Sequence, residues 1–290
     1  MSRIVFVNGA FVPYEEASVP IMDRGFLFAD GIYDVAAVID GKLVDNEAHL
    51  ARLVRCLRDI GIESPYTIEE WTRHEEELVT RNGLSEGLVY MQVTRGVFER
   101  DFAFPPESVK PTVVMFTQAK SIASSKLAKT GAGVITTPDL RWKRRDIKSI
   151  ALLAQVLAKQ EAVRAGVAEA WMVEEDGYVT EGASSTAFII TRDGRIVTRP
   201  LSNAILPGIT RRAVMRLAEE QGLAVEERLF TVAEAQDAAE AFFTSASAFV
   251  MPAVTIDGKP VGDGKPGPLT KRLRALYLDM AAASNSGNMR

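Results

Sequence analysis

Histidine and cysteine are almost missing from this chain. His49, His74 and Cys56 are the full set among 290 residues, so no group of ligands with zinc-site spacing can be assembled and no internal disulfide can form. Cys56 falls in a helical apolar pattern and reads as a buried thiol. No run of about 18 apolar residues is available to cross a membrane. The opening stretch, Met1-Ser2-Arg3-Ile4-Val5-Phe6, passes straight into a strand pattern without the apolar core of a secretory signal. These absences predict a cytoplasmic protein with no membrane partner and no metal. Excess positive charge is lacking too. With 34 Lys+Arg against 38 Asp+Glu, a net charge of -4 and a pI near 5.5, general nucleic-acid binding is excluded. There is no Walker phosphate loop or dinucleotide fingerprint, and no repeat at a solenoid period.

What is present is enough apolar sequence, 47% of residues at a mean hydropathy of +0.03, to bury one large or two modest cores. The chain opens with hairpins. Ile4 to Val7 and Ala10 to Val12 flank Asn8-Gly9, and Ile32 to Ile39 and Lys42 to Val44 flank Asp40-Gly41, both favoured two-residue turns. Between them a Gly- and Asp-rich loop, 23–31, delivers Tyr33 onto a strand. A helix is predicted over 47–60, with His49 and Arg52 three apart on one face. A second runs from a capping box at Thr67 and Glu70 to Arg81. Strands at 88–94 and 112–117 are joined by a long aromatic connection holding Arg100 and Phe102, a length that often signals function.

Weak periodicity over 119–130 predicts a linker between a smaller N-terminal domain, 1–118, and a larger C-terminal one, 131–290, carrying Lys148. In the second part, strands at 133–137, 169–174, 178–180, 186–191, 195–198, 225–230, 241–244 and 249–256 alternate with helices at 149–164, 210–221, 232–236 and 268–280. Hairpins dominate, so the fold class is α+β.

The basic stretch Arg141-Trp142-Lys143-Arg144-Arg145-Asp146-Ile147-Lys148 precedes an apolar-periodic segment, placing Lys148 where a loop enters the helix. A lysine there can act as a nucleophilic amine if burial or nearby cations lower its proton affinity. Thr180-Glu181-Gly182-Ala183-Ser184-Ser185 sets a carboxylate on a small-residue loop after a strand. Leu206-Pro207-Gly208-Ile209-Thr210 opens a helix whose free N–H groups suit an anion, and Thr244-Ser245-Ala246-Ser247 offers more. Each is weak alone. An amine, an acid and an anion cradle are together what pyridoxal phosphate requires.

In order and spacing these motifs, with Asp23-Arg24-Gly25, Asp30-Gly31-Ile32-Tyr33, His49 to Arg52 and Val93-Thr94-Arg95-Gly96, resemble the fold type IV pyridoxal phosphate enzymes, in particular the bacterial D-amino-acid aminotransferases. The resemblance covers nearly the whole chain and implies two α/β domains joined by a short linker. It implies that Lys148 forms the internal aldimine with pyridoxal 5'-phosphate and moves the α-proton, that Glu181 pairs with the pyridine nitrogen, and that Leu206 packs on the ring. Arg52, Ile209, Thr210, Ser185, Ser245 and Ala246 are the other expected cofactor contacts; Tyr33, Val35, Arg100 and Phe102 are the expected substrate contacts. A homodimer with its active site at the subunit interface is implied, Arg100 reaching the partner's substrate carboxylate.

Three positions depart from the family pattern. Phe102 replaces the usual histidine of Arg-x-His, which removes a hydrogen-bonding group and opens the pocket to (R)-primary amines. Asp34 stands where glutamate is usual, and Ala246 where threonine is common, leaving Ser245 or Ser247 as the candidate hydroxyl. The implied reaction moves an amino group from D-alanine- or D-glutamate-type donors to 2-oxo acids. Aminodeoxychorismate lyase and branched-chain aminotransferase are the alternatives within the fold.

Overall fold

The computed structural model describes residues 2–283. By contacts these fall into two units, one running to Ser121 and including Ile147–Ala151, the other Ile122–Asp146 with Leu152–Ala283.

The first unit contains β1 (Ile4–Val7), β2 (Ala10–Pro13), α1 (Arg24–Phe28), β3 (Gly31–Ile39), β4 (Lys42–Val44), α2 (Asn46–Asp59), α3 (Ile68–Arg81), β5 (Glu86–Thr94) and β6 (Thr112–Ala119). Its antiparallel sheet has the order β2-β1-β6-β5-β3-β4. The two-residue turns form as expected: Asn8, Gly9, Asp40 and Gly41 all have positive φ, the twist that suits a tight hairpin. The capping box at Thr67 is complete, the Thr67 side chain accepting from Glu70 N–H while the Glu70 carboxylate accepts from Thr67 N–H. Leu50, Leu53 and Leu57 of α2 and Trp71 and Leu78 of α3 pack with Val89, Met91 and Val93 of β5 in one apolar core. Along β3 side chains alternate between faces. Ile32, Asp34, Ala36 and Val38 are buried, while Tyr33 and Val35 are half-buried. The loop expected over 23–31 contains the short α1, capped by the Asp23 carboxylate.

The second unit contains α4 (Lys126–Thr130), β7 (Ala132–Pro138), α5 (Leu153–Arg164), β8 (Glu169–Val173), β9 (Val179–Gly182), β10 (Thr186–Ile190), β11 (Ile196–Thr198), α6 (Ile209–Glu220), β12 (Val225–Glu227), α7 (Val232–Asp237), β13 (Glu240–Ser245), β14 (Phe249–Ile256), β15 (Lys259–Pro260) and α8 (Pro268–Ala283). Its mixed sheet runs β12-β11-β10-β13-β14-β7-β8-β9, with β15 on β14. Trp171, Val179, Ile189, Phe230, Phe243 and Ile256 are among its core residues.

The fold departs from expectation in three places. Helix α5 begins at Leu153, not Ser149. Lys148 therefore does not enter a helix, and Ile147–Ala151 groups by contacts with the first unit rather than with the C-terminal domain. Ser149 instead forms an antiparallel bridge with Ile32, which draws these residues out of the helix. Leu153, Val156, Leu157 and Val163 of α5 are exposed. Strand β9 extends through Gly182, so Glu181 sits on the strand and not on a loop beyond it. Finally, the stretch expected as linker holds α4.

Candidate active site

In the first unit Lys148 is fixed by strand-like backbone pairing. Tyr33 N–H donates to Lys148 O at 3.0 Å and Ile150 N–H to Gly31 O at 3.1 Å, and Lys148 N–H points at Cys56 Sγ, 3.4 Å away. A side chain at Gly31 would press a Cβ to 2.6 Å from Val93 O and 3.1 Å from Ile150 Cδ1, so glycine is what lets the lysine segment lie against β3. Lys148 Nζ stands 4.3 Å from the centroid of the Tyr33 ring, a cation–π distance. Among the described residues no carboxylate pairs with this amine. Tyr33 continues a ring stack through Tyr90 to Phe116.

One residue along, on the opposite face of β3, Asp34 is fully buried. Its carboxylate accepts from Arg52 Nε at 2.8 Å and a terminal Arg52 nitrogen at 2.7 Å, meets His49 Nδ1 at 2.8 Å, and accepts the Val35 N–H at 2.8 Å. Burial alone would raise the Asp34 carboxyl, but the Arg52 guanidinium and His49 outweigh it and hold the group well below the ordinary carboxylate range. Burial also lowers His49. The His49–Arg52 face read from spacing is thus an anchor for Asp34, and that anchor orients the Arg52 fork.

The long connection after β5 is shaped by buried arginines, Arg24 and Arg95, whose motifs were named from sequence without a role. Arg24 donates to the carbonyls of Asp101, Ala103 and Phe102 at 2.6, 3.2 and 3.4 Å. Asp30 joins Arg24 Nε at 2.9 Å to the fork of Arg95 at 2.8 and 3.0 Å. Arg100 and Phe102 lie at the exposed end of this loop, Phe102 being 79% exposed, with the Arg100 guanidinium 5.3 Å from the Phe28 ring centroid. The signal that could have found them was Asp23-Arg24-Gly25 with Asp30, four polar or small residues clustered ahead of a buried strand.

In the second unit Glu181 is 4% exposed. Its carboxylate is paired with Arg141 and accepts the Leu206 N–H at 3.1 and 3.2 Å. Burial pushes the carboxyl up against the pull of Arg141 and that N–H. The Arg141 fork is itself gripped by Asp139, at 3.0 and 2.7 Å. Asp139 was not singled out from sequence; the Asp-x-Arg spacing just ahead of the lysine segment was its only trace.

Gly208, the N-cap of α6, provides no side-chain cap, so the first-turn N–H groups, those of Ile209 and Thr210, are left for another acceptor. Thr244, at the end of β13, has a buried Oγ1 without a hydrogen-bond partner. Ser245 Oγ lies 3.4 Å from Ser247 Oγ, and Ala246 has only its backbone to offer. The Ser185 hydroxyl donates to Glu169 at 2.9 Å.

The first unit thus offers an amine without a carboxylate partner among the described residues, and the second a buried carboxylate and an uncapped helix start. The model of the family described as amino-transferase class IV matches residues 31–256. The chain belongs to this family. D-alanine aminotransferase of Staphylococcus aureus strain MSSA476 is 41% identical over 271 residues, 93% of this chain and 95% of that one. That of Staphylococcus epidermidis is 43% identical over 270 residues, with 93% and 95% covered. Among solved structures, a branched-chain amino acid aminotransferase of T.th., solved with pyridoxamine 5'-phosphate, superposes with a TM-score of 0.90 at 28% identity, covering 97% of this chain and 95% of that one.

This class IV enzyme is a pyridoxal phosphate-dependent aminotransferase of α+β fold, as its motifs implied. The residues present suit that cofactor. The orphaned Thr244 hydroxyl and the uncapped α6 start match a phosphate dianion. Buried Glu181, raised by desolvation, matches a ring nitrogen with which it can share a proton.

Proposed function

We propose that this chain transfers the amino group of D-amino acids of the D-alanine and D-glutamate type to 2-oxo acids, as a homodimer in the cytoplasm, with active sites at the subunit interface. The observation that carries the reading is the Lys148 amine, on a backbone paired with β3 and free of any carboxylate among the described residues. The 41–43% identity to D-alanine aminotransferases across most of the chain supports the substrate class. The exposed apolar face of α5, with Leu153, Val156 and Leu157, supports a second subunit, because patches of this kind on soluble chains mark interfaces.

When bound, the cofactor supplies an electron sink for the pair released at the substrate α-carbon. Lys148 would hold it through Nζ and would move the proton at the substrate α-carbon. Glu181 would keep a proton at the ring nitrogen. Leu206 would pack beside the ring, Arg52, Ile209, Thr210, Ser245 and Ala246 would hold the phosphate, and Ser185 would be a further cofactor contact. Tyr33, Val35, Arg100 and Phe102 sort the substrate. With phenylalanine at 102 the grip on the carboxylate is weaker, which admits (R)-primary amines as side substrates.

A branched-chain aminotransferase is the second reading, favoured by the TM-score of 0.90 but supported by an identity of only 28%. An aminodeoxychorismate lyase would turn over without an acceptor acid. The deciding experiment mixes the cofactor-loaded protein with D-alanine, D-glutamate, L-leucine or (R)-1-phenylethylamine and follows loss of the visible band of lysine-bound cofactor. Conversion by the D-amino acids supports the proposal. Conversion by L-leucine alone refutes it in favour of the second reading, and conversion by none favours the lyase.

A further inference from the structure

Behind Glu181 the second unit carries a buried row of charges that alternate in sign. Arg141, bonded to Glu181, has its fork on Asp139, whose Oδ2 also accepts Thr180 Oγ1 at 2.7 Å. The same Oδ2 lies 3.5 Å from Arg145. Arg145 in turn donates to Glu174 Oε1 at 2.7 Å, and Arg199 grips the other oxygen of Glu174 at 2.6 Å. The side chains of Asp139, Arg141, Arg145 and Arg199 are no more than 9% exposed; Glu174, at 26%, is where the row meets solvent.

We propose that Arg145 and Glu174 act as positioning residues for Glu181 through Asp139 and Arg141, the row setting the ionisation of the carboxylate that faces the cofactor ring. The role rests on the assignment of Glu181 to the ring nitrogen, and it deepens that assignment. A buried arginine–carboxylate row is costly as mere packing, since apolar residues of similar volume are often as stable or more so. Arg145 Nε and Arg199 Nε are also buried without an acceptor, so these guanidinium groups are not placed by complete hydrogen bonding. Asp139 couples the two halves. It holds Arg141 in line with Glu181, and every cation on its far side offsets the negative potential that it would otherwise impose on Glu181. Asp139 is itself held low, burial being outweighed by Arg141 and Thr180. A further charged pair beside the 181–185 segment is Glu169 with Lys159, at 3.6 Å; Glu169 is occupied by the Ser184 and Ser185 hydroxyls.

Because Arg145 and Glu174 have opposite charge, their effects on Glu181 must have opposite sign, which a purely structural role does not produce. The test uses the full chain with glutamate carboxyls labelled in 13C, with and without pyridoxal phosphate. The Glu181 resonance is assigned by its loss in Glu181→Gln. Arg145→Gln should move the Glu181 titration upward by on the order of half a pH unit and Glu174→Gln should move it downward by a similar amount, while Arg145→Lys stays near the unmodified protein. Shifts of the same sign, or none, overturn the proposal. If Arg145→Gln fails to fold, the partly exposed Glu174→Gln and Arg145→Lys decide it, and an unmoved titration in Glu174→Gln is the refuting result. Opposite shifts in a protein that retains no pyridoxal phosphate would leave the row standing and remove the cofactor reading. Cofactor retention with unmoved titrations would do the reverse.

Discussion

Glu75, on the buried face of α3, is 0% exposed and has no cationic partner among the described residues. Its Oε2 accepts the Asn46 side-chain amide at 2.8 Å, while Glu75 Oε1 and Asn46 Oδ1 are both buried without partners. A proton on Oε1 of Glu75 turns one of these two acceptors into a donor. Burial pushes the carboxyl up from its ordinary 4.5 to about 8, the Asn46 bond pulling the other way and the charges of Asp34 and Glu76 adding to the rise. Between pH 4.5 and 8 the folded chain keeps this proton and the unfolded chain has lost it, so this group makes stability fall as pH rises through that window. Each tenfold displacement of the proton equilibrium is worth about 1.4 kcal/mol, so the whole window amounts to at most about 5 kcal/mol. Glu75→Gln keeps the shape, offers an amide N–H to Asn46 Oδ1 and removes the titration. Urea unfolding of both proteins from pH 4 to 9 should show equal stability near pH 4 and an advantage for Glu75→Gln of about 3 kcal/mol at pH 7. A difference that does not change with pH, or a variant weaker throughout, refutes the reasoning.

Asp34→Asn should cost about 3 kcal/mol, because Arg52 is left buried without its anion; the loss is measured by thermal unfolding, and a parallel titration should show weaker binding of pyridoxal phosphate. The Asp34 contribution, depressed in the folded state, is present above the ordinary carboxyl range and lost as pH falls below it. Arg100→Ala should reduce kcat/KM for D-alanine at least about tenfold, the scale of one lost charged hydrogen bond, and leave (R)-1-phenylethylamine nearly unaffected; equal losses would make Arg100 structural. Leu157→Asp on the exposed face of α5 should yield monomers by light scattering, and an unchanged dimer would move the interface elsewhere.

Features that depend on near neighbours were legible in the chain before it was folded. The Asn8-Gly9 and Asp40-Gly41 turns and the Thr67 capping box form as read, because each is specified within a few residues. Short motifs in order were likewise enough to indicate the family, since the chemistry of amine, acid and anion cradle needs particular residue types. The rest required distant residues to meet. Lys148 looked like a helix entry, but the bridge from Ser149 to Ile32, more than a hundred residues away in sequence, draws it onto β3. The apolar residues of α5 are exposed, since periodicity reports an apolar face but not what covers it. The ion pairs of Asp34 with Arg52 and of Glu174 with Arg145, and the acid–amide contact of Glu75 with Asn46, join residues from different elements. A lone charged residue in a sequence reads as solvated; burial and a partner brought by the fold are what give it a task.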